Sequence, residues 1–204
     1  MRSPQAVAAE IANLVTQYGV TTFKVIDEMF VLNRQHVWQI CNHLIDMKLN
    51  DRLNIWAYAR IDTVKDTQLL DKMRKAGFRW LGLGIESGSK LVRAGVEKGR
   101  FGDEDIFAAV ARVRGAGINI GANYLFGLPD DTLESMQQTL DLACEINAEW
   151  ANFYSAMAYP GSPLHKQFAQ DCPMALPENN ECGWLGYSQH SFESLPLPKA
   201  TLIS

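Results

Sequence analysis

With 204 residues, 47% hydrophobic and 21% charged, the chain can form one full domain burying roughly 70% of the surface its unfolded form exposes, and the composition argues against disorder. Its 19 Lys and Arg against 23 Asp and Glu give a net charge of −4 with no long run of one sign, so neither a nucleic-acid footprint nor a membrane-binding stripe is expected. No apolar stretch approaches the ~20 residues that span a bilayer, and Met1-Arg2-Ser3-Pro4 leads into no signal-peptide core, so a cytoplasmic location is expected.

In chain order, Ser3 caps a helix with Pro4 in its first turn, with Val7, Ile11, Leu14 and Val15 on one face and Gly19 past its end. Thr21 to Ile26 reads as a strand. Asn33 opens a second helix carrying Val37, Ile40, Cys41, Leu44 and Ile45 at helical spacing. A strand over Asn54 to Ala59 precedes a helix capped by Asp66, carrying Leu69, Leu70 and Met73 and ending at Gly77. Trp80 to Ile85 is the third strand. A short helical stretch follows Glu86, then a helix over Asp103 to Ala116 with Ile106, Phe107, Val110 and Val113 on its apolar face, stopped by Gly117. Ile118 to Phe126 is the fourth strand, and Asp131 with Glu134 reads as a capping-box start to a helix ending near Asn147. Asn152 to Ala158 is the fifth strand, and Pro160-Gly161-Ser162-Pro163 turns into a short helix over Leu164 to Gln170.

This alternation predicts an α/β fold with a parallel sheet and right-handed crossovers; by itself it does not distinguish an open sheet from a barrel. From 171 to 204 the pattern gives way to a Pro-rich extension with Trp184, Tyr187 and Phe192, so 1–170 reads as the core. Cys41, Cys144, Cys172 and Cys182 share no CxxC or CxxxC spacing. Cys41 and Cys144 fall on apolar helical positions, where free Cys packs as a small hydrophobe. Cys172 and Cys182, in the tail, have no Cys or His partner at metal-ligand spacing. No metal ligands are assigned, and His36, His43, His165 and His190 lie on helices or in the tail, away from strand ends.

In a parallel α/β protein ligands bind at the C-terminal ends of strands, which points to Glu86-Ser87-Gly88 and Gly127-Leu128-Pro129. A Glu following Leu83-Gly84-Ile85 is costly to bury unpaired, so Glu86 calls for a partner in the protein or in a ligand. Gly82 to Gly88 does not fit a GxGxxG dinucleotide fingerprint. Asn123 and Tyr124 alternate on one strand, so only one faces the inner side.

Five features occur in an order that resembles the radical S-adenosylmethionine (radical SAM) enzymes: Arg2-Ser3-Pro4 with Glu10; Asp27-Glu28 with Phe30; Arg60-Ile61-Asp62; Gly84 to Gly88; and Phe126-Gly127-Leu128-Pro129 with Thr132, followed by Tyr159 to Leu164. The likeness is greatest to members with an N-terminal cobalamin-binding domain. The resemblance implies a partial (β/α)6 TIM-like barrel, strands two to six, with the first strand and its CxxxCxxC loop for a 4Fe-4S cluster missing. It also implies that the complete form reductively cleaves S-adenosylmethionine to a 5′-deoxyadenosyl radical acting on an unknown substrate, with cobalamin a candidate second cofactor. Residue by residue it places Asp27 and Glu28 near the methionine amino group, Glu86 and Ser87 near the ribose and carboxylate, and Gly127, Leu128 and Pro129 at the adenine. Arg60 either faces the methionine carboxylate or pairs with Asp62 or Asp66. An alternative reading is a non-catalytic relic or a nucleotide-binding interaction module. Without the first strand, the edge at Thr21 to Ile26 is expected to favour self-association.

Overall fold

The computed structural model describes residues 2–27, 29–95, 102–157, 159 and 161–166; the expected extension 171–204 lies outside them. Among the described residues, helices α1 (Pro4–Tyr18), α2 (Arg34–Asp46), α3 (Thr67–Lys75), α4 (Lys90–Gly95), α5 (Asp103–Gly115) and α6 (Leu133–Ile146) alternate with strands β1 (Thr22–Lys24), β2 (Asn54–Arg60), β3 (Phe78–Glu86), β4 (Asn119–Phe126) and β5 (Trp150–Ser155). The strands form one parallel sheet in the order β1-β2-β3-β4-β5, the sequential order that repeated right-handed βα units produce. This is the α/β, partial TIM-like barrel fold expected from the alternation and the resemblance.

The expected helix boundaries hold because their caps are made. The Ser3 hydroxyl accepts from Ala6 N–H, and left-handed Gly19 closes α1; Asn33 caps α2 and Asp66 caps α3. β3 begins at Phe78 rather than Trp80, and three further details differ from the sequence reading. β1 is shorter than Thr21 to Ile26, although Val25 N–H still donates to the Trp56 carbonyl at 2.8 Å. β5 begins at Trp150 rather than Asn152, because Asn147 turns left-handed (φ 46°) directly after α6 and leaves a short connection. At the start of α6 the reciprocal bonds join Thr132 and Ser135, with Thr132 N–H donating to Ser135 Oγ at 2.8 Å and Ser135 N–H to Thr132 Oγ1 at 3.1 Å. Asp131 is thereby released from the capping role assigned to it with Glu134.

The chain divides into two compact units. The first comprises Met1–Ile85, Phe101–Ala122 and Ile146–Ala151. In it β2 alternates strictly: Ile55, Ala57 and Ala59 are buried, while Trp56, Tyr58 and Arg60 are half-buried. Ile55 and Ala57 join Leu81, Leu83 and Ile85 of β3 and the apolar faces of α2, α3 and α5 in the core. α1 packs on α2, α2 on α3 and α3 on α5. The other side of the strands carries Trp56 stacked on Trp80 at 5.0 Å between centroids. Gly121 makes room for it, since a Cβ there would meet the Trp56 ring at 2.5 Å. Glu149 ties the strand starts together: its Oε2 accepts Ile120 N–H at 2.8 Å and its Oε1 accepts Arg114 Nε–H at 3.4 Å. Burial raises the Glu149 pKa, but these donors outweigh it and hold the carboxyl below its usual value.

The second unit comprises Glu86–Arg100, Asn123–Glu145 and Asn152–Ser204. Val92, Leu128 and Ala156 form its small buried cluster with Leu125 against it, and Tyr124 stacks on Phe153 at 5.0 Å. Tyr124 is thus the packed residue of the Asn123/Tyr124 pair, while Asn123 Oδ1 accepts from Asn152 Nδ2 at 3.0 Å. Burial, with a smaller contribution from Cys144, pushes the Tyr124 phenol up to about 12. Cys144 itself is exposed on α6, unlike the packed position expected of it, because the helix turns Leu142 and Ile146 inward instead. Among the described residues no helix is long and apolar enough to cross a membrane.

Candidate cofactor site at the strand ends

β3 ends on Glu86, whose φ of +72° lies in the left-handed region that a residue with a side chain adopts at a cost of ~1–2 kcal/mol. Such strain persists only where the surroundings fix it, and here they do. Ser87 is fully buried; its Oγ lies 3.2 Å from Thr139 Oγ1 of α6 and accepts Ser89 N–H at 3.1 Å. Gly88 N–H donates to Thr139 Oγ1 at 2.8 Å. The Ser87 carbonyl accepts from Nη1 of the fully buried Arg93 at 2.6 Å. A Cβ on Gly88 would overlap the Gln138 carbonyl, so the turn can lie this close to α6 only as glycine. Ser87 therefore anchors the turn with its hydroxyl and carbonyl both engaged, directly after the half-buried Glu86.

β4 ends on a second left-handed residue, Gly127 (φ +79°). Its N–H donates to Asp131 Oδ2 at 2.8 Å, Asp131 Oδ1 accepts the Ser135 hydroxyl, and Asp131 N–H returns to the Leu128 carbonyl at 2.9 Å. Leu128 is buried beside Val92, while Pro129 is exposed. Of the two residues that the resemblance places beside Gly127 at the adenine, Leu128 is thus a core residue and Pro129 a surface one.

In the first unit, Asp27 follows β1 and is exposed, accepting Met29 N–H at 3.0 Å; Glu28 lies outside the described residues. Arg60 ends β2 and pairs two-fold with Asp62, Nε–Oδ1 at 2.9 Å and Nη2–Oδ2 at 2.8 Å, while Asp66 pairs with Arg34. Of the partners open to Arg60 on sequence grounds, Asp62 is the one it takes. Arg93, Thr139 and Asp131 shape the two turns and were not singled out as site residues from the sequence. Arg93 reads there as one more cation on a short helix, and only its burial reveals its role. No group of three His, Cys, Asp or Glu suited to a metal occurs among the described residues. Cys41 is buried, which pushes its thiol up to about 12.

Residues 57–143 match the radical SAM superfamily. The chain is 30% identical over 172 residues to the anaerobic magnesium-protoporphyrin IX monomethyl ester cyclase of Cereibacter sphaeroides, aligning 82% of this chain with 27% of that protein. It is 29% identical over 169 residues to the cyclase of the same name from Rubrivivax gelatinosus, aligning 82% of this chain with 30% of that protein. The chain therefore spans under a third of the length of these relatives. Among solved structures, the radical S-adenosylmethionine methyltransferase TsrM from Kitasatospora setae, with cobalamin and a [4Fe-4S] cluster bound, superposes with a TM-score of 0.75 at 23% identity, covering 84% of this chain and 32% of that one.

Proposed function

We propose that the chain forms the S-adenosylmethionine-binding part of a radical SAM enzyme, which starts radical chemistry by reductive cleavage of that cofactor, a reading supported by the match of residues 57–143 to the radical SAM superfamily. The observation that carries the reading is Glu86, a carboxylate at a parallel strand end, held in a strained backbone conformation by buried Ser87, Arg93 and Thr139. When bound, S-adenosylmethionine supplies a sulfonium whose carbon–sulfur bond is the one broken. The chain's own residues bind and orient. Glu86 accepts hydrogen bonds from ribose hydroxyls or the ammonium group, contacts strengthened by its charge. Gly127, lacking a Cβ, allows close approach of a flat ring to a backbone whose N–H is already locked by Asp131. Asp27 and Glu28 suit the ammonium group, and Arg60 the methionine carboxylate, for which it would exchange Asp62. Ser87, Leu128 and Pro129 shape the turns.

The described residues do not fit a 4Fe-4S cluster, since they bring together no Cys ligand set. Cobalamin is proposed as a second cofactor of the full-length form, supported by the likeness to the cobalamin-bound Kitasatospora enzyme. The substrate is a small molecule, and the outer edge of β1 is a proposed surface for self-association.

Calorimetric titration of S-adenosylmethionine into the chain and its Glu86→Ala and His43→Ala variants tests the reading. Loss of a charge-assisted hydrogen bond costs ~1.5–3 kcal/mol, so Glu86→Ala should bind about tenfold or more weakly, with His43→Ala unchanged. Equal binding by wild type and Glu86→Ala would sink the assignment and leave the fold as an interaction module.

A further inference from the structure

A cavity of about 530 Å³ opens at the N-terminal ends of β2 and β3, away from Arg60 at the C-terminal end of β2. It is lined by Lys72, Arg74 and Lys75 from the last turn of α3 and by Arg79 from the start of β3, with Asp51 the one carboxylate among its lining residues. Cations in a last helical turn ordinarily balance the helix dipole, but a helix C-terminus carries only about −0.5 charge. With Asp51 included, the cleft keeps a surplus of about two to three positive charges, in a chain whose net charge is −4.

Both guanidinium groups are anchored by main-chain carbonyls. Arg79 donates through Nη1 to Arg74 O at 3.0 Å and through Nη2 to Asn50 O at 3.4 Å; Arg74 donates through Nε to Gly117 O at 2.8 Å. A guanidinium has five N–H donors, so most remain for a ligand, in forks already fixed in place. Planar forks match phosphate oxygens two at a time. The volume exceeds what one phosphate fills and lies within the ~300–1,000 Å³ range of small-molecule sites.

We propose that this cleft binds a small polyphosphate-bearing anion, free pyrophosphate or the diphosphate of a nucleotide, through Lys72, Lys75, Arg74 and Arg79. The test is calorimetric titration of pyrophosphate and of ADP, in separate arms at low salt, into the 204-residue chain and its Lys75→Glu and Asp51→Asn variants. Saturable binding is expected, weakened about tenfold or more by Lys75→Glu and by raised salt, and tightened severalfold by Asp51→Asn. Misfolding cannot produce that tightening. Tighter binding of ADP than of pyrophosphate assigns the cleft to a nucleotide; equal binding assigns it to the free anion. Absence of saturation at millimolar ligand, or equal affinity in all three proteins, overturns the proposal. S-adenosylmethionine binding by Lys75→Glu should match wild type, which separates this site from the strand-end site.

Discussion

Glu86 concentrates a conflict at a single residue, because its backbone geometry favours glycine while its proposed role requires a carboxylate. Glu86→Ala and Glu86→Gly both remove the carboxylate and differ in the left-handed strain at φ +72°. The Gly variant should therefore be more stable than the Ala variant by ~1 kcal/mol, seen as a higher denaturant midpoint. Both should bind S-adenosylmethionine equally poorly. Equal stability of the two would show that the turn relaxes on substitution and stores no strain. Cys41 illustrates the opposite case, a chemically capable group made inert: buried in α2 with its thiol near 12, it has almost no thiolate at neutral pH.

At the scale of the element, α3 depends on its N-cap. Asp66 accepts Leu69 N–H at 3.0 Å and pairs with Arg34; the Arg34 hydrogen bond, then the backbone donors, hold its carboxyl below the usual range. A depressed folded-state pKa stabilises the fold above the unfolded value of ~3.9 and loses that contribution as pH falls through the folded value. Asp66→Asn keeps a cap acceptor and loses the charge, so it should be less stable than wild type at pH 6–7 by under ~1 kcal/mol. The difference should shrink as pH falls below about 4 and through the folded-state value. Asp66→Ala loses the cap as well, ~1 kcal/mol more. Thermal unfolding of the three proteins from pH 3 to 7 checks this; a difference that persists unchanged at pH 3 would remove the charge from the account.

For the whole molecule, the sheet order among the described residues leaves β1 at one end, paired with β2. Asn54 N–H donates to Thr21 O, and Val25 N–H to Trp56 O, so the odd-numbered residues bond to β2 and the Thr22 amide points away from it, as alternation along a strand requires. An outward amide at a strand edge is a template for another chain. Thr22→Pro removes one outward donor without touching the bonds to β2. We expect the wild-type chain to associate with rising concentration in light scattering and Thr22→Pro to associate less, at unchanged secondary structure. A wild-type chain monomeric at all concentrations would eliminate this edge as an interface.

The sequence by itself determined what depends on local periodicity and short-range chemistry. The caps Ser3, Asn33 and Asp66, the 3.6-residue apolar faces of α2, α3 and α5, and the alternation of β with α are carried by residues within one or two turns of each other, and they are where the sequence reading places them. The glycine-bearing strand ends at Glu86 and Gly127 were also legible, since a polar turn closing an apolar strand marks itself. Tertiary structure alone decided what depends on contacts far apart in the chain. Asp62 rather than Asp66 takes Arg60, because Arg34, 32 residues before Asp66, takes Asp66 first. Leu128 became core through Ala156, and the buried Arg93 and Thr139 became supports of the Glu86 turn through their bonds to Ser87 and Gly88. A side chain's partners across 50 residues are set by which surfaces the fold brings together, and no local pattern encodes them.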